Sequence, residues 1–321
     1  MIQTRFTKRY GLAHPVMVAP MAYVTGGALA RAVTDAGGFG IMGGGYAELG
    51  WLAREYDVLG TTSMSCGFIT WSLAHAPEAL TAVLARDPKA VFLSFGDPKP
   101  FAAEIKAAGA DLICQVQDMD SLKLALAAGA DVIVAQGAEA GGHGATRGTM
   151  SLVAEVADHL KAHAPDVILL AAGGIADGRG LVAALALGAD GVVMGTRFAL
   201  AEDSLMPDSF IEEGLEATGD ASFRSTLIDA ARGRAWPAGY TCRTLKNAFS
   251  TEWAHKIDEL TDTARAEYER AVIQENAKAA QVVLGEAVGL IQNRETAAEI
   301  LKSVTEEATL ILRAQSTYLE G

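Results

Sequence analysis

The chain is poor in cysteine: Cys66, Cys114 and Cys242 are its only three among 321 residues. They are widely spaced and form no C-x-x-C, so neither a disulfide framework nor a zinc site is expected. Basic charge is also scarce, with 26 Lys and Arg against 39 Asp and Glu and a formal net charge of −13. A nucleic-acid partner and a polybasic membrane contact each require a positive footprint, so both are excluded as expectations. No uncharged apolar run approaches the roughly 18–20 residues of a membrane span. The opening MIQTRFTKRYGLAHP lacks the apolar core of a secretory signal. A soluble, cytoplasmic protein is the default expectation. A glycine fingerprint is missing too. The first strand candidate runs into Ala19-Pro20-Met21-Ala22 instead of G-x-G-x-x-G, which weakens a dinucleotide-binding Rossmann reading.

What is present is a large apolar fraction, 50% of the chain, enough for an extensive core. The length suits one large α/β domain with an elaboration. From residue 16 to about residue 198 one pattern recurs: a short β-rich run, an Ala/Leu-rich helical stretch, then a stop. The strand candidates are residues 16–20, 39–43, 62–68, 91–96, 111–117, 132–137, 168–173 and 191–198. Three stops read Gly-Ala-Asp, at Gly109, Gly129 and Gly188, where a left-handed glycine closes a helix and the aspartate opens the next strand. Repeated βα units build either an open doubly wound sheet or a closed barrel, and a count near eight favours a (β/α)8 TIM barrel.

After residue 203 the alternation stops. Residues 206–236 read as one or two helices and a turn, and residues 258–317 as long amphipathic helices. The expected organisation is an α/β barrel over residues 1–205, completed by a helix returning within 286–321 (near 295–313), with 206–285 as a helical C-terminal cap.

A barrel carries its chemistry at the C-terminal ends of its strands. Those ends hold Ala19-Pro20-Met21, Gly43-Gly44-Gly45, Gly67-Phe68, Gln115 and Gln117, Gln136, Gly173-Gly174 and Met194-Gly195-Thr196. Glycines crowd the seventh and eighth strand ends, where barrels commonly bind phosphate through bare backbone N–H groups. Ordinary turn glycines are the competing explanation, but two such loops on adjacent strands favour a phosphate-bearing ligand. The stretch AQGAEAGGHGATRG, from Ala135 to Gly148, follows the sixth strand. Its Gly141, Gly142 and Gly144 offer no apolar wall to hold His143 as a core residue, so His143 is the candidate acid–base group. His159 and His163, four apart on a helix, lack a third ligand and read as a solvated face.

The loop Ala135-Gln136-Gly137-Ala138-Glu139-Ala140-Gly141-Gly142-His143-Gly144 resembles the signature loop of the nitronate monooxygenases, formerly called 2-nitropropane dioxygenases. The resemblance extends to Ala19-Pro20-Met21, to Ile113-Cys114-Gln115-Val116, to the run Ala171 to Gly178, and to Met194-Gly195-Thr196-Arg197-Phe198, and so spans the barrel. It implies non-covalent FMN, with its phosphate on Gly173, Gly174, Gly195 and Thr196. The ring would lie against Ala19, Pro20 and Met21, with Gln115 at its polar edge. Gly141 and Gly142 would bring His143 over its reactive face, and Gly67, Gln136 and Met194 complete the cofactor-binding set. One departure stands out. Many relatives place an asparagine near the third strand end where this chain has Phe68, which leaves backbone contact there.

The activity implied is oxidation of alkyl nitronates, such as propionate 3-nitronate, by O2 to a carbonyl compound and nitrite. His143 would bind the anionic nitronate when protonated, or take the α-proton of a nitroalkane when neutral. The alternative is an NAD(P)H-dependent FMN reductase acting on a quinone or an enoyl thioester, since relatives with the same loop include such enzymes. A sugar-phosphate lyase or isomerase and a non-catalytic flavin protein rank below both. No metal is implied.

Overall fold

The structure is a computed structural model and describes residues 2–315. In chain order the strands are β1 (Val16–Val18), β2 (Ile41–Gly45), β3 (Ser65–Ile69), β4 (Ala90–Ser94), β5 (Asp111–Val116), β6 (Val132–Gln136), β7 (Gly142–Gly144), β8 (Ile168–Ala172), β9 (Gly191–Met194), β10 (Ser222–Ser225) and β11 (Thr241–Leu245). Eight of them form one parallel sheet in the order β1-β9-β8-β6-β5-β4-β3-β2. The sheet closes on itself where Met17 bridges Phe39: the Phe39 N–H donates to the Val16 carbonyl at 2.9 Å, and the Val18 N–H to the Phe39 carbonyl at 3.2 Å. With helices between the strands, this is the expected TIM barrel.

Most of the barrel strands form because they are apolar runs buried on both faces, the mark of parallel sheets. Ala-Val-Phe-Leu-Ser of β4, Val-Ile-Val-Ala-Gln of β6 and Ile-Leu-Leu-Ala-Ala of β8 are buried throughout. Gly109, Gly129 and Gly188 take φ of 78°, 81° and 96°, as their stop signals require. The aspartates that follow tie the barrel bottom together. Asp131 accepts from the Leu112 N–H at 2.8 Å, and Asp190 from the Leu169 N–H at 3.0 Å. Arg5, on the N-terminal helix Arg5–Tyr10, pairs with Asp190 at 2.7 Å.

Three strands end earlier than their apolar runs suggest. β1 stops before Pro20, which has no N–H to give a ladder. β4 stops at Phe95, whose φ is 62°. The run after Met194 turns into the short helix Thr196–Ala199.

The cap is largely helical, with Asp208–Glu216, Leu227–Ala231, Ala248–Trp253 and Asp262–Ile273. It also contains two strands absent from the sequence reading. β10 and β11 pair antiparallel, and β11 pairs antiparallel with β7, which the glycine loop itself supplies. The last helix, Ala297–Gln315, lies between Gly178–Ala186 and Gly27–Asp35, where an outer helix between β9 and β1 belongs. Its Ile300, Leu301, Val304 and Ala308 are buried. Gly178 lets the two helices touch, since a Cβ there would sit 2.4 Å from the Ala308 nitrogen. The tail of the expected 286–321 segment, residues 316–321, lies outside the described residues. No described helix is long and apolar enough to cross a membrane.

Candidate active site

A cavity of about 960 Å³ opens at the C-terminal ends of the barrel strands, beneath the cap. The structure brings nearly all the sequence-derived candidates to its wall. Ala19, Pro20 and Met21 come from the end of β1, Gly67 from β3, Gln115 from β5 and Gln136 from β6. Gly141, Gly142 and His143 come from the loop after β6, Gly173 and Gly174 from the end of β8, and Gly195 and Thr196 from the end of β9. Gly67 is required by packing, because a Cβ would meet the Pro20 ring at 2.5 Å. Phe68 lines the cavity beside it. Met194 is the exception. Side chains alternate along β9, so Val193 lines the cavity and Met194 points away, fully buried. The Met194 carbonyl is taken by the Ala19 N–H at 2.9 Å.

At the floor, Gly173 and Gly174 have φ of 100° and 73°. A Cβ on Gly173 would stand 2.8 Å from the Gly137 carbonyl oxygen. The N–H groups of Gly173, Gly174, Gly195 and Thr196 donate to no backbone acceptor among the described residues. The Thr196 hydroxyl accepts from the Gly285 N–H at 2.8 Å, which leaves its own proton to donate. Free amides converging ahead of the helix Gly178–Ala186 match a phosphate in charge and in donor type. The residues therefore fit the phosphate end of a flavin mononucleotide.

The glycine-rich loop is pinned, not soft. Arg224 of β10 donates to the carbonyls of Ala138 at 2.8 Å, Ala140 at 2.8 Å, Gly142 at 3.2 Å and Thr241 at 2.7 Å. Arg243 of β11 donates twice more to Ala138, at 3.1 and 3.0 Å, and pairs with Glu286 at 2.7 Å. Burial and the neighbouring Arg243 push Arg224 down to about 10, still cationic at neutral pH. Gly141 is needed because a Cβ would stand 2.7 Å from the Gly285 nitrogen. Glu139 turns back to accept from the Thr149 N–H at 3.0 Å and hydroxyl at 2.8 Å, capping the helix Thr149–His163.

This frame fixes His143. Its Nε2 lies 3.0 Å from both carboxylate oxygens of Asp229, a residue 5% exposed on Leu227–Ala231. Trp236 stacks flat on the imidazole, centroids 3.4 Å apart and planes 6° apart, and Phe95 meets it edge-on at 6.3 Å. The His143 carbonyl accepts from Gln136 Nε2 at 3.2 Å, while Gln136 Oε1 accepts from Gln115 and Gln117 at 3.1 and 3.0 Å. Burial pulls the imidazole below its ordinary value. Asp229 works against that shift, and Arg232 and Arg224 add to it.

Asp229, Trp236, Arg224 and Arg243 were not singled out in the sequence. They lie in cap segments with no local motif, and long-range pairing alone brings them to the loop. Trp71 and Tyr240 meet Trp236 edge-on at 5.4 and 6.2 Å, whereas Trp253 lies under Lys256 in the cap. His159 and His163 sit together on a helix away from the cavity. Cys66 is fully buried and burial pushes its thiol well up, so it offers no thiolate. The described residues hold no cluster of three or more metal-ligating side chains.

An eight-stranded parallel barrel with a cradle of free amides beside a clamped histidine is the architecture of a flavin-dependent barrel oxidoreductase. Within that class the chain belongs to the nitronate monooxygenase family, which it matches over residues 71–307. It is 34% identical to a nitronate monooxygenase of Metarhizium robertsii, over 95% of this chain and 93% of that one. It is also 34% identical to the (3aS,4S,5R,7aS)-5-hydroxy-7a-methyl-1-oxo-octahydro-1H-indene-4-carboxyl-CoA dehydrogenase of Mycobacterium tuberculosis, over 71% of this chain and 64% of that one. The solved structure of FabK from Thermotoga maritima superposes with a TM-score of 0.84 at 27% identity, covering 99% of this chain and 100% of that one.

One prediction follows from the cradle. Gly173→Ala should lower both the melting temperature and the flavin bound per chain. Left-handed backbone costs a residue with a Cβ about 1–2 kcal/mol, and the 2.8 Å approach to Gly137 adds to it. Thermal denaturation and the ratio of visible to ultraviolet absorbance check both effects.

Proposed function

We propose that the protein binds FMN non-covalently and oxidises alkyl nitronates, propionate 3-nitronate among them, with O2 to a carbonyl compound and nitrite. The observation that carries this reading is one cavity lined by both the Gly173, Gly174, Gly195 and Thr196 cradle and the His143 imidazole. The cradle would hold the FMN phosphate. Ala19, Pro20 and Met21 would support the ring, with Gly67, Gly141 and Gly142 allowing close approach and Gln115 and Gln136 at its polar edge. Flavin, when bound, would supply the one-electron redox chemistry between nitronate and O2. The chain supplies position and proton control. Burial favours the neutral form of His143, suited to removing an α-proton, and its protonated form suits binding a nitronate anion. In this reading a barrel of residues 1–205 plus the returning helix carries the cofactor, residues 206–285 cover the substrate, and the enzyme is cytoplasmic.

The test is the visible spectrum of the purified protein, followed by oxygen uptake and nitrite release with propionate 3-nitronate. A yellow protein that consumes oxygen and yields nitrite is expected; a colourless protein, or one inert to nitronate, overturns the reading. A second reading, NAD(P)H-dependent reduction of a quinone or an enoyl thioester, draws support from the resemblance to the coenzyme A-ester dehydrogenase. Anaerobic mixing with NADH or NADPH separates the two, since rapid bleaching favours the reductase.

A further inference from the structure

Asp229 is a buried carboxylate, and its side chain has one hydrogen-bonding partner among the described residues, His143. A carboxylate only accepts, so the ring nitrogen facing it must carry the proton. In the neutral imidazole the lone pair then sits on Nδ1, which has no hydrogen bond to the described residues. Trp236 lies flat on one face of the ring, and Gln136 holds the His143 carbonyl. Ring flipping would break the contact with Asp229 and leave that carboxylate buried alone, a costly state. The other titratable or charged groups facing this pair are Arg224 on β10, Cys242 on β11 opposite His143, Arg232 after the Asp229 helix, and Tyr268 on Asp262–Ile273.

We propose that Asp229 is a positioning residue that makes His143 Nδ1 the base for neutral nitroalkanes, so that the site converts these carbon acids into the nitronates it then oxidises. The identity of the substrate rests on the function proposed above. In the step, the Nδ1 lone pair takes the α-proton. The C–H electron pair becomes the C=N bond of the nitronate, and the negative charge moves onto the nitro oxygens. Nε2 keeps its proton against Asp229, and the imidazolium–carboxylate pair so formed offsets the new positive charge. No oxidant enters this step. A nitronate added ready-made has already given up its acidic α-proton and so does not need the Asp229-oriented base.

The experiment compares wild type, Asp229→Asn and Asp229→Glu on nitroethane and on preformed ethyl nitronate. It adds anaerobic exchange of the nitroethane α-protons in D2O, followed by NMR, which reads proton removal without oxidation. With Asn, both exchange and nitroethane kcat/KM should fall about 100-fold, a typical loss for impaired general-base catalysis. At saturating preformed nitronate, kcat should stay within about threefold of wild type, while its KM rises because the anion binds the protonated imidazole that Asp229 favours. The acid limb of the nitroethane profile should move to lower pH, because His143 loses the neighbour that makes it more basic. Glu, which keeps the charge, should restore part of the exchange rate. Equal losses on nitroethane and nitronate, or wild-type exchange in Asp229→Asn, would overturn the proposal. A wild type that exchanges protons yet consumes no oxygen with nitronate would keep the base assignment and sink the oxidase reading instead.

Discussion

Asparagine at position 143 should cut oxygen uptake on a neutral nitroalkane by about two to four orders of magnitude, the usual worth of a positioned general base, with flavin content unchanged. The substitution is local. His143 enters the cap sheet through its backbone, in register with Cys242, and its carbonyl is held by Gln136. Asparagine keeps both backbone contacts, but its amide is one bond too short to reach Asp229 from the place of Nε2, and no group with a comparable proton affinity remains. The cradle at Gly173, Gly174, Gly195 and Thr196 lies on other strands and should hold its ligand as before. Full activity of the variant on both nitroalkane and nitronate would remove His143 from the reaction. Stability carries a second signature. Burial holds His143 below its ordinary value, so just below about pH 6.5, the unperturbed histidine value, the unfolded chain binds a proton that the folded chain does not. Stability therefore rises with pH through this window and is lost as pH falls from that value toward the folded one. The variant lacks the group, so its melting temperature should decline less between neutral and mildly acidic buffer.

The barrel was legible because its physics is local and repeated. A strand buried on both faces must be a continuous apolar run, and each helix needs a stop that glycine at positive φ provides. Strand ends then located the cavity wall without any tertiary information. Met194 failed for a reason also visible in principle: a period of two sends alternate side chains to opposite faces, and Val193 took the inward one. The cap was opaque for a different reason. Ser222–Ser225 and Thr241–Leu245 are short, mixed in polarity and stable only as partners of each other and of Gly142–Gly144. No local pattern marks a three-residue strand of Gly-His-Gly. Once β11 pairs with it, the cap arrives over the loop with Asp229 and Trp236 already placed. The sequence showed where the imidazole stands; the groups that orient it come from residues with no motif of their own.

Arg224→Met tests whether that cap sheet does the holding. The guanidinium donates to four carbonyls, three of them in the loop between Ala138 and Gly142. Methionine matches the stem and donates nothing. Hydrogen bonds contribute about 0.5–1.5 kcal/mol each, and a buried carbonyl left unpaired costs more than the bond it loses, so the expected destabilisation is about 2–4 kcal/mol. Arg147, paired with Glu155 on the exposed side of the helix Thr149–His163, is the internal control. A surface pair is worth about 0–1 kcal/mol, and Arg147→Met should lie within that range. Activity should separate the two variants further. With Arg224 gone, Gly141 and Gly142 are free to drift and His143 loses its fixed approach, so nitroalkane turnover should fall well beyond the loss of folded protein measured at the same temperature. If Arg224→Met keeps the wild-type midpoint and turnover, the loop is held instead by the packing of Gly141 against Leu284 and Gly285. In that case Gly141→Ala, which places a Cβ 2.7 Å from that backbone, should show the losses that Arg224→Met does not.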